Sequence, residues 1–453
     1  MSKISVVMPA FNKSLELPSV LSAFSRQSLS RDYYEVIVVD DGSTDGTPGI
    51  LQEFSGVLNL KTIRLERSAD GTSQAYRARN IGVQRASAPI IVITDSDIIP
   101  SYEFLRYHLE SHISGNDIAV LAYTYAVSLS PLLWAERVGD VRRWDFTCRD
   151  ELFALAQNQP NIRDQRDKRF SAVADDIMAL PLPWTYFWSH NVSMSRDKLL
   201  SLGLFDENFR RSGDFDLGYR LVSSGTQLKF SRQAEAFHYP HARDYSEDLR
   251  FDRQGEYYLL SKYPNVAVET LVAFGCYEAS PTFPEVVCAV DRVHSSVTDL
   301  EACERAYTDI TYDEHNEQAL VMGCVNGQIL EHLRVDLGTD VNSEKIGMCR
   351  RFYPQKTLLE LIGIAIPFAD SSLSTIIVTD FWRLMPPKIL LAQIKEAMRA
   401  SRRVLFLLNT RSSVGGDPSD AEQRLQKCGF AFSRRHISLR LEMFDFAVNN
   451  IGE

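Results

Sequence analysis

Cysteine is scarce and unpatterned. The seven in 453 residues are odd in number and never spaced as Cys-x-x-Cys. That excludes a disulfide framework and a thiolate zinc site, and it points to a reducing, cytosolic compartment. Long apolar runs are also missing: none reaches the roughly 18 residues that span a bilayer. No transmembrane helix is expected, and peripheral membrane contact is left open. The start, Met1-Ser2-Lys3-Ile4, enters a strand at once and predicts no leader peptide. Basic excess is absent too, since 49 Lys and Arg face 59 Asp and Glu for a net charge of −10. A general nucleic-acid binder needs the opposite balance, and any anionic ligand must here be met by local cations. Neither an internal repeat nor a low-complexity tract interrupts the chain.

What is present reads as an α/β protein of two or three domains, with 45% hydrophobic and 24% charged residues. Short β-branched runs at 4–8, 36–39 and 60–65 alternate with helical periodicity at 15–27, where Ser14 is a candidate N-cap, and over 73–86. Such alternation predicts a doubly wound parallel sheet. The run Ala88-Pro89-Ile90-Ile91-Val92-Ile93 ends in Thr94-Asp95-Ser96-Asp97, so two carboxylates sit at the carboxyl end of a buried strand, the edge where open sheets bind ligands. In an extended chain Asp95 and Asp97 point the same way, and their repulsion is relieved either by a cation or by solvent. From 131 to 183 the pattern dissolves. Residues 161–168 are dense in alternating charge, either a solvated loop or a mobile flap over a site. Trp184, Tyr186, Phe187 and Trp188 precede His190 and Asn191, a composition that suits either core packing or sugar stacking. A helix beginning near Gly213 carries Asp214 and Asp216 in its first turn. His238 and His241 follow a short strand at 227–231, and with a carboxylate pair elsewhere they suggest metal binding.

Seven segments carry a resemblance: 6–12 (Val-Val-Met-Pro-Ala-Phe-Asn), 38–45 (Val-Val-Asp-Asp-Gly-Ser-Thr-Asp), 78–82 (Ala-Arg-Asn-Ile-Gly), Asp95-Ser96-Asp97, Asn191-Val192-Ser193, 203–207 (Gly-Leu-Phe-Asp-Glu) and 213–221. In this order, over roughly residues 3–245, they resemble a family 2 glycosyltransferase of GT-A fold. The branch is that of chondroitin-polymerase-like and polypeptide N-acetylgalactosaminyltransferase-like enzymes. The resemblance implies a nucleotide-sugar donor with its base against Pro9, Phe11 and Asp41. A carboxylate accepting the uracil imide N–H favours a UDP-sugar. It places Arg79 beside the nucleotide, Asp95 toward the ribose and the water shell of a metal, and Asp97 and His238 on the metal itself. Mn²⁺ suits that donor set and Mg²⁺ is the alternative. His241 is then a supporting group, with the order of the two histidines left open. Asp214 aligns with the catalytic base of an inverting transfer, with Asp216 either a rival or a support for the helix start. The family's usual acid before that base is here Gly213. Trp184, Trp188 and Asn191 are candidates for contacts to donor or acceptor sugar. The acceptor implied is a hydroxyl of a glycan, polysaccharide or glycosylated peptide.

A proline-bearing stretch at 279–284 reads as a linker, dividing the chain into a GT-A domain over 1–278, built on a mixed Rossmann-like sheet, and a smaller Rossmann-like domain over 279–453. The second pattern resembles a class I S-adenosylmethionine-dependent methyltransferase. Gly323 and Gly327 would admit the cofactor and Asp340 would hold its ribose. Val325 stands where the middle glycine belongs, which leaves open both an active methyltransferase and a degenerate docking domain. A sugar-nucleotide-binding assembly protein without catalysis is the alternative for the whole chain.

Overall fold

The computed structural model describes residues 3–68, 74–113, 117–127, 133, 136, 138, 144–241, 245–307, 310 and 318–446. They fall into two compact units, Met1–Gly255 and Glu256–Glu453.

The β-branched runs of the first unit become strands of an eight-stranded sheet: β1 (Ile4–Ala10), β2 (Tyr34–Asp40), β3 (Leu60–Arg64), β4 (Ile90–Thr94), β5 (Ile98–Pro100), β6 (Ile118–Tyr125), β7 (Asn191–Ser195) and β8 (Gln227–His238). Their order is β3-β2-β1-β4-β7-β6-β8-β5. The first four are parallel, and β7 and β5 run against their neighbours. β1 and β2 are buried almost throughout, as strands covered on both faces must be. Gly82 lets the Ala75–Arg85 helix press onto β1, because a Cβ there would overlap Val7 Cγ1. Asn80 ties that helix to the 203–207 segment: its amide donates to the Phe205 carbonyl and accepts the Phe205 N–H.

Several expectations change. The first helix spans Leu17–Ser25 rather than 15–27, and the Ser14 N–H donates to Asp45 instead of the serine capping the helix. The helix expected from 73 is described from Ala75, and residue 73 itself lies outside the described residues. The strand expected over 227–231 runs on to His238 because β6 and β5 both pair with it. The charge-dense segment is solvated only in part: Asn161, Arg163, Gln165 and Lys168 are exposed, and the acid and base between them turn inward. Asp164 and Arg166 form an ion pair with both side chains fully buried, and Arg166 also donates to the carbonyls of Ala122 and Tyr186. The supposed linker at 279–284 lies inside the Val266–Ser295 helix, after a break at Gly275. Burial of Ala279, Ser280 and Thr282 holds it helical despite Pro281 and Pro284.

The second unit carries β9 (Ala319–Met322), β10 (Leu337–Asp340), β11 (Thr357–Glu360), β12 (Thr375–Val378), β13 (Val404–Asn409), β14 (Phe432–His436) and β15 (Leu441–Phe446), ordered β11-β10-β9-β12-β13-β15-β14. Strands β9 to β13 are parallel, and the last hairpin is antiparallel. This is a doubly wound sheet with its switch point between β9 and β12.

Candidate active site

In the first unit the strand order reverses between β1 and β4, and the ligand edge lies beyond their carboxyl ends. Four acids gather there, each with its own cation. Asp40 pairs with Arg64 at 2.8 Å, Asp41 with Arg67, Asp95 with Arg79 at 2.6 Å, and Asp97 with Lys13 at 2.8 Å. Gln74 also donates to Asp41, through its backbone N–H and its side chain, each at 3.0 Å. An ionised carboxylate has about four acceptor positions, so Asp41 keeps room for one more donor. Arg67 lies 3.7 Å above the centre of the half-exposed Phe11 ring, and Pro9 is the penultimate residue of β1.

Asp95 and Asp97 do not point the same way. The chain turns at Ser96 and Asp97, with Ile98 N–H bonded to the Asp95 carbonyl. Asp95 therefore meets Arg79, while Asp97 is buried in a different set. The antiparallel pairing of β5 with β8 places Ile98 opposite His238, and the Tyr239 N–H donates to the Asp97 carbonyl at 2.8 Å. His238 Nε2 lies 3.7 Å from Asp97 Oδ1, and His241 Nε2 lies 3.3 Å from Oδ2. Burial pushes the Asp97 carboxyl upward, but His238, His241 and Lys13 together hold it well below the usual carboxylate range. Asp97, His238 and His241 offer three ligand atoms within 4.8 Å of one another. Asp97 Oδ1 is buried and has no hydrogen-bond partner among the described residues. One carboxylate and two imidazoles with an orphaned oxygen fit a divalent ion such as Mn²⁺. His241 thus stands with the ligand set rather than behind it.

Asp214 begins the Gly213–Ser223 helix and is half-buried. Its Oδ2 accepts the Ser189 N–H at 2.9 Å and its Oδ1 the Ser189 hydroxyl at 2.8 Å. Burial raises its pKa, opposed by the Arg79 charge and the two Ser189 bonds. Gly213 is explained by Tyr76. The Tyr76 hydroxyl accepts the Gly213 N–H at 2.9 Å, and a Cβ on residue 213 would come within 2.8 Å of the Tyr76 ring. An acid in that place has no room. Asp216 is fully buried against Arg220, which also holds the Leu202 and Leu204 carbonyls, so it braces the helix.

The aromatic segment divides. Trp184, Tyr186 and Phe187 are buried, and Trp184 packs edge-on against Tyr219 beneath the Asp214 helix. Trp188 is half-buried, with its Nε1 on the Thr185 carbonyl and Arg166 4.9 Å from its ring centre. Asn191 is a correction. It is fully buried, its Oδ1 bonds His108 Nε2 at 2.9 Å, and its Nδ2 reaches Tyr123, Thr124 and Ala234, so no polar atom remains for a sugar. Trp184 is spent in the core in the same way. Lys13 and Ser189 escaped the sequence reading. Their one signal was position, directly after Asn12 and directly before His190.

The second unit lends no support to S-adenosylmethionine binding. Gly323 and Gly327 have φ of +76° and +83°, but the space beside them is filled by Phe381 and Thr379, and by Cys349 and Tyr353. The Asp340 carboxylate accepts the N–H groups of Val325, Val341 and Asn342, so it fastens its own loop rather than facing a ribose. Val325, where the middle glycine was expected, is left-handed at φ +48° and buried.

Residues 5–162 match the family described as Glycosyl transferase family 2. The chain is 28% identical over 263 residues to validoxylamine A glucosyltransferase of Streptomyces hygroscopicus subsp. jinggangensis (strain 5008), covering 54% of this chain and 57% of that protein. It is 24% identical over 327 residues to chondroitin synthase of Escherichia coli, covering 66% and 46%. The chain thus spans about half the length of the curated relatives it matches. Among solved structures, S. aureus TarS 1–349 in complex with UDP-GlcNAc aligns over 60% of this chain and 71% of that one, at 15% identity and a TM-score of 0.42. The first unit has the GT-A-like α/β fold with a mixed sheet that the motifs predicted, and a second sheet domain follows it. Among the described residues, no helix is long and apolar enough to cross a membrane.

Proposed function

We propose that the first unit transfers a glycosyl group, with inversion and with a divalent ion, from a nucleotide-sugar to a hydroxyl of a glycan, polysaccharide or glycosylated peptide. A UDP-sugar is the donor that Asp41 favours, since its free acceptor position suits an imide N–H. The observation that carries the reading is the joining of three parts at one sheet edge. These are the Asp97–His238–His241 cluster, the Arg79–Asp95 pair, and Asp214 held by Ser189.

In this reading the base lies beside the stacked Phe11 and Arg67 side chains and Asp41 reads its edge. Arg79 keeps one face on Asp95 and lends its charge to Asp214, favouring the ionised carboxylate that a base must be. Asp214 takes the acceptor proton as the acceptor oxygen bonds to the anomeric carbon, and the bond from that carbon to the diphosphate breaks on the opposite side. Trp188 remains a candidate wall for a sugar. Asp97, His238 and His241 would hold the divalent ion, which when bound offsets the charge of the departing diphosphate. The test is release of nucleotide from a panel of UDP-, GDP- and dTDP-sugars by the full chain, with and without Mn²⁺. Metal-dependent release from one donor, lost in Asp214→Asn, supports the proposal. Turnover that survives Asp214→Asn removes Asp214 as the base.

A further inference from the structure

Lys13 is the one member of this cluster with no place in the scheme so far. Its backbone is fixed by the neighbouring turn. Asn12 is left-handed at φ +50°, and the N–H groups of Asn12, Lys13 and Ser14 donate to Ser43, Thr47 and Asp45 at 2.9, 2.8 and 3.0 Å. The Asn12 side chain returns the clamp by accepting the Thr44 N–H. With its main chain locked onto the 43–47 turn, Lys13 sends its ammonium into the Asp97 cluster. There Nζ lies 2.8 Å from Asp97 Oδ2 and 3.3 Å from Glu16 Oε1. Asp97 Oδ2 is also the oxygen that lies 3.3 Å from His241.

We propose that Lys13 is an exchangeable internal counter-ion: it occupies Asp97 until a divalent ion enters, then turns its ammonium to the diphosphate of the donor, coupling the two binding events. The inference rests on the metal site proposed above. A divalent ion on Asp97 would stand close to the ammonium that Lys13 holds 2.8 Å from Oδ2 of the same carboxylate, and the two cations repel. Glu16 lets Lys13 remain close by, and its flexible four-carbon stem permits the move. A diphosphate is the acceptor that completes it. Lys13 therefore opposes the ion when no donor is present and aids the donor when the ion is present. By linkage each ligand tightens the other by the same factor.

The experiment measures Mn²⁺ binding directly, by the electron paramagnetic resonance signal of free Mn²⁺, on the full chain with and without UDP. The variants are Lys13→Met, Lys13→Arg and His238→Ala. Without UDP, Lys13→Met is expected to bind Mn²⁺ about tenfold more tightly than the parent, while Lys13→Arg stays near it. UDP is expected to tighten Mn²⁺ binding by a larger factor in the parent than in Lys13→Met. Unchanged or weaker Mn²⁺ binding in Lys13→Met, with loss of binding in His238→Ala, overturns the role of Lys13 and leaves the metal site standing. Absence of binding in the parent and in Lys13→Met, or full binding in His238→Ala, overturns the metal site and this inference with it.

Discussion

Ser189 is a positioning residue if Asp214 is the base, and its removal has a signed consequence. In Ser189→Ala the backbone N–H to Oδ2 remains and the hydroxyl donor to Oδ1, now at 2.8 Å, is lost. A hydrogen bond to a charged acceptor contributes about 1.5–3 kcal/mol. The protonated acid keeps part of that, so roughly 1.4 kcal/mol separates the two forms, equal to about one pKa unit. The loss falls on the ionised form, so the Asp214 pKa, already raised by burial, rises further. A base acts only when ionised. The rate therefore falls as pH drops through this pKa, and the acid limb should move up by about one unit. The assay is the pH profile of kcat/KM for nucleotide release, from about pH 5 to 8, for the parent, Ser189→Ala and Ser189→Thr. The plateau at high pH should change little, and threonine should restore the limb. A limb that stays in place, or a loss of plateau rate without movement, refutes the coupling of Ser189 to a titrating Asp214.

Three further outcomes are expected. Gly213→Ala drives a Cβ to 2.8 Å from the buried Tyr76 ring, which is itself stacked on Phe205 at 5.3 Å and cannot retreat. It should cost about 1–3 kcal/mol in denaturant unfolding followed by tryptophan fluorescence, and Tyr76→Leu should relieve part of the cost. Arg166→Met strands the fully buried Asp164 and should cost about 3–5 kcal/mol, whereas Asp164→Leu with Arg166→Met should recover most of it, as a double-mutant cycle will report. Burial holds the His108 pKa down at about 3, so between its unfolded value near 6.5 and that folded value only the unfolded chain takes the proton. Stability should therefore fall on acidification by about 1.4 kcal/mol per pH unit below 6.5, and His108→Gln should lack this part of the slope. An identical slope in His108→Gln refutes the assignment.

The strands and most of the edge were legible because their signals are local. Runs such as Val36-Ile37-Val38-Val39 can only be buried strands, and acids at their ends fall at the ligand edge whatever follows. Pairing of Asp97 with His238 was legible only through the resemblance, since what joins them is the register of β5 on β8. What failed depended on partners distant in sequence. Asn191 resembles a sugar ligand until His108, arriving from the Phe104–Ser111 helix, takes its oxygen. Arg166 and Asp164 resemble a solvated pair until β6 supplies Ala122 and Thr124 to complete their bonding. The parallel alignment of Asp95 and Asp97 assumed an extended chain, and one turn at Ser96 sent them to different cations. In the second unit the glycines were read as admitting a cofactor, and their left-handed backbone and the nearness of Gly323 to Phe381 and Thr379 were not legible, because those two residues lie some 56 residues or more away in the chain.

The pairing of acids and cations at the edge answers a difficulty posed by the composition. A chain of net charge −10 must attract a diphosphate, and an exposed row of Asp40, Asp41, Asp95 and Asp97 would repel one. Each of the four instead carries a basic side chain, Arg64, Arg67, Arg79 and Lys13. The local charge is balanced before any ligand arrives, and the cations are held within reach of it. The four pairs are not equivalent. Arg64 also grips the Ser43 carbonyl, Arg67 lies on Phe11, and Arg79 lies against the stacked rings of Tyr76 and Phe205. Those guanidinium groups are fixed by a second contact. Lys13 has only a second carboxylate, Glu16, beside it. The pair best able to exchange partners is thus the one on the carboxylate of the Asp97–His238–His241 cluster, and under the proposed scheme the step from resting site to loaded site begins at Lys13.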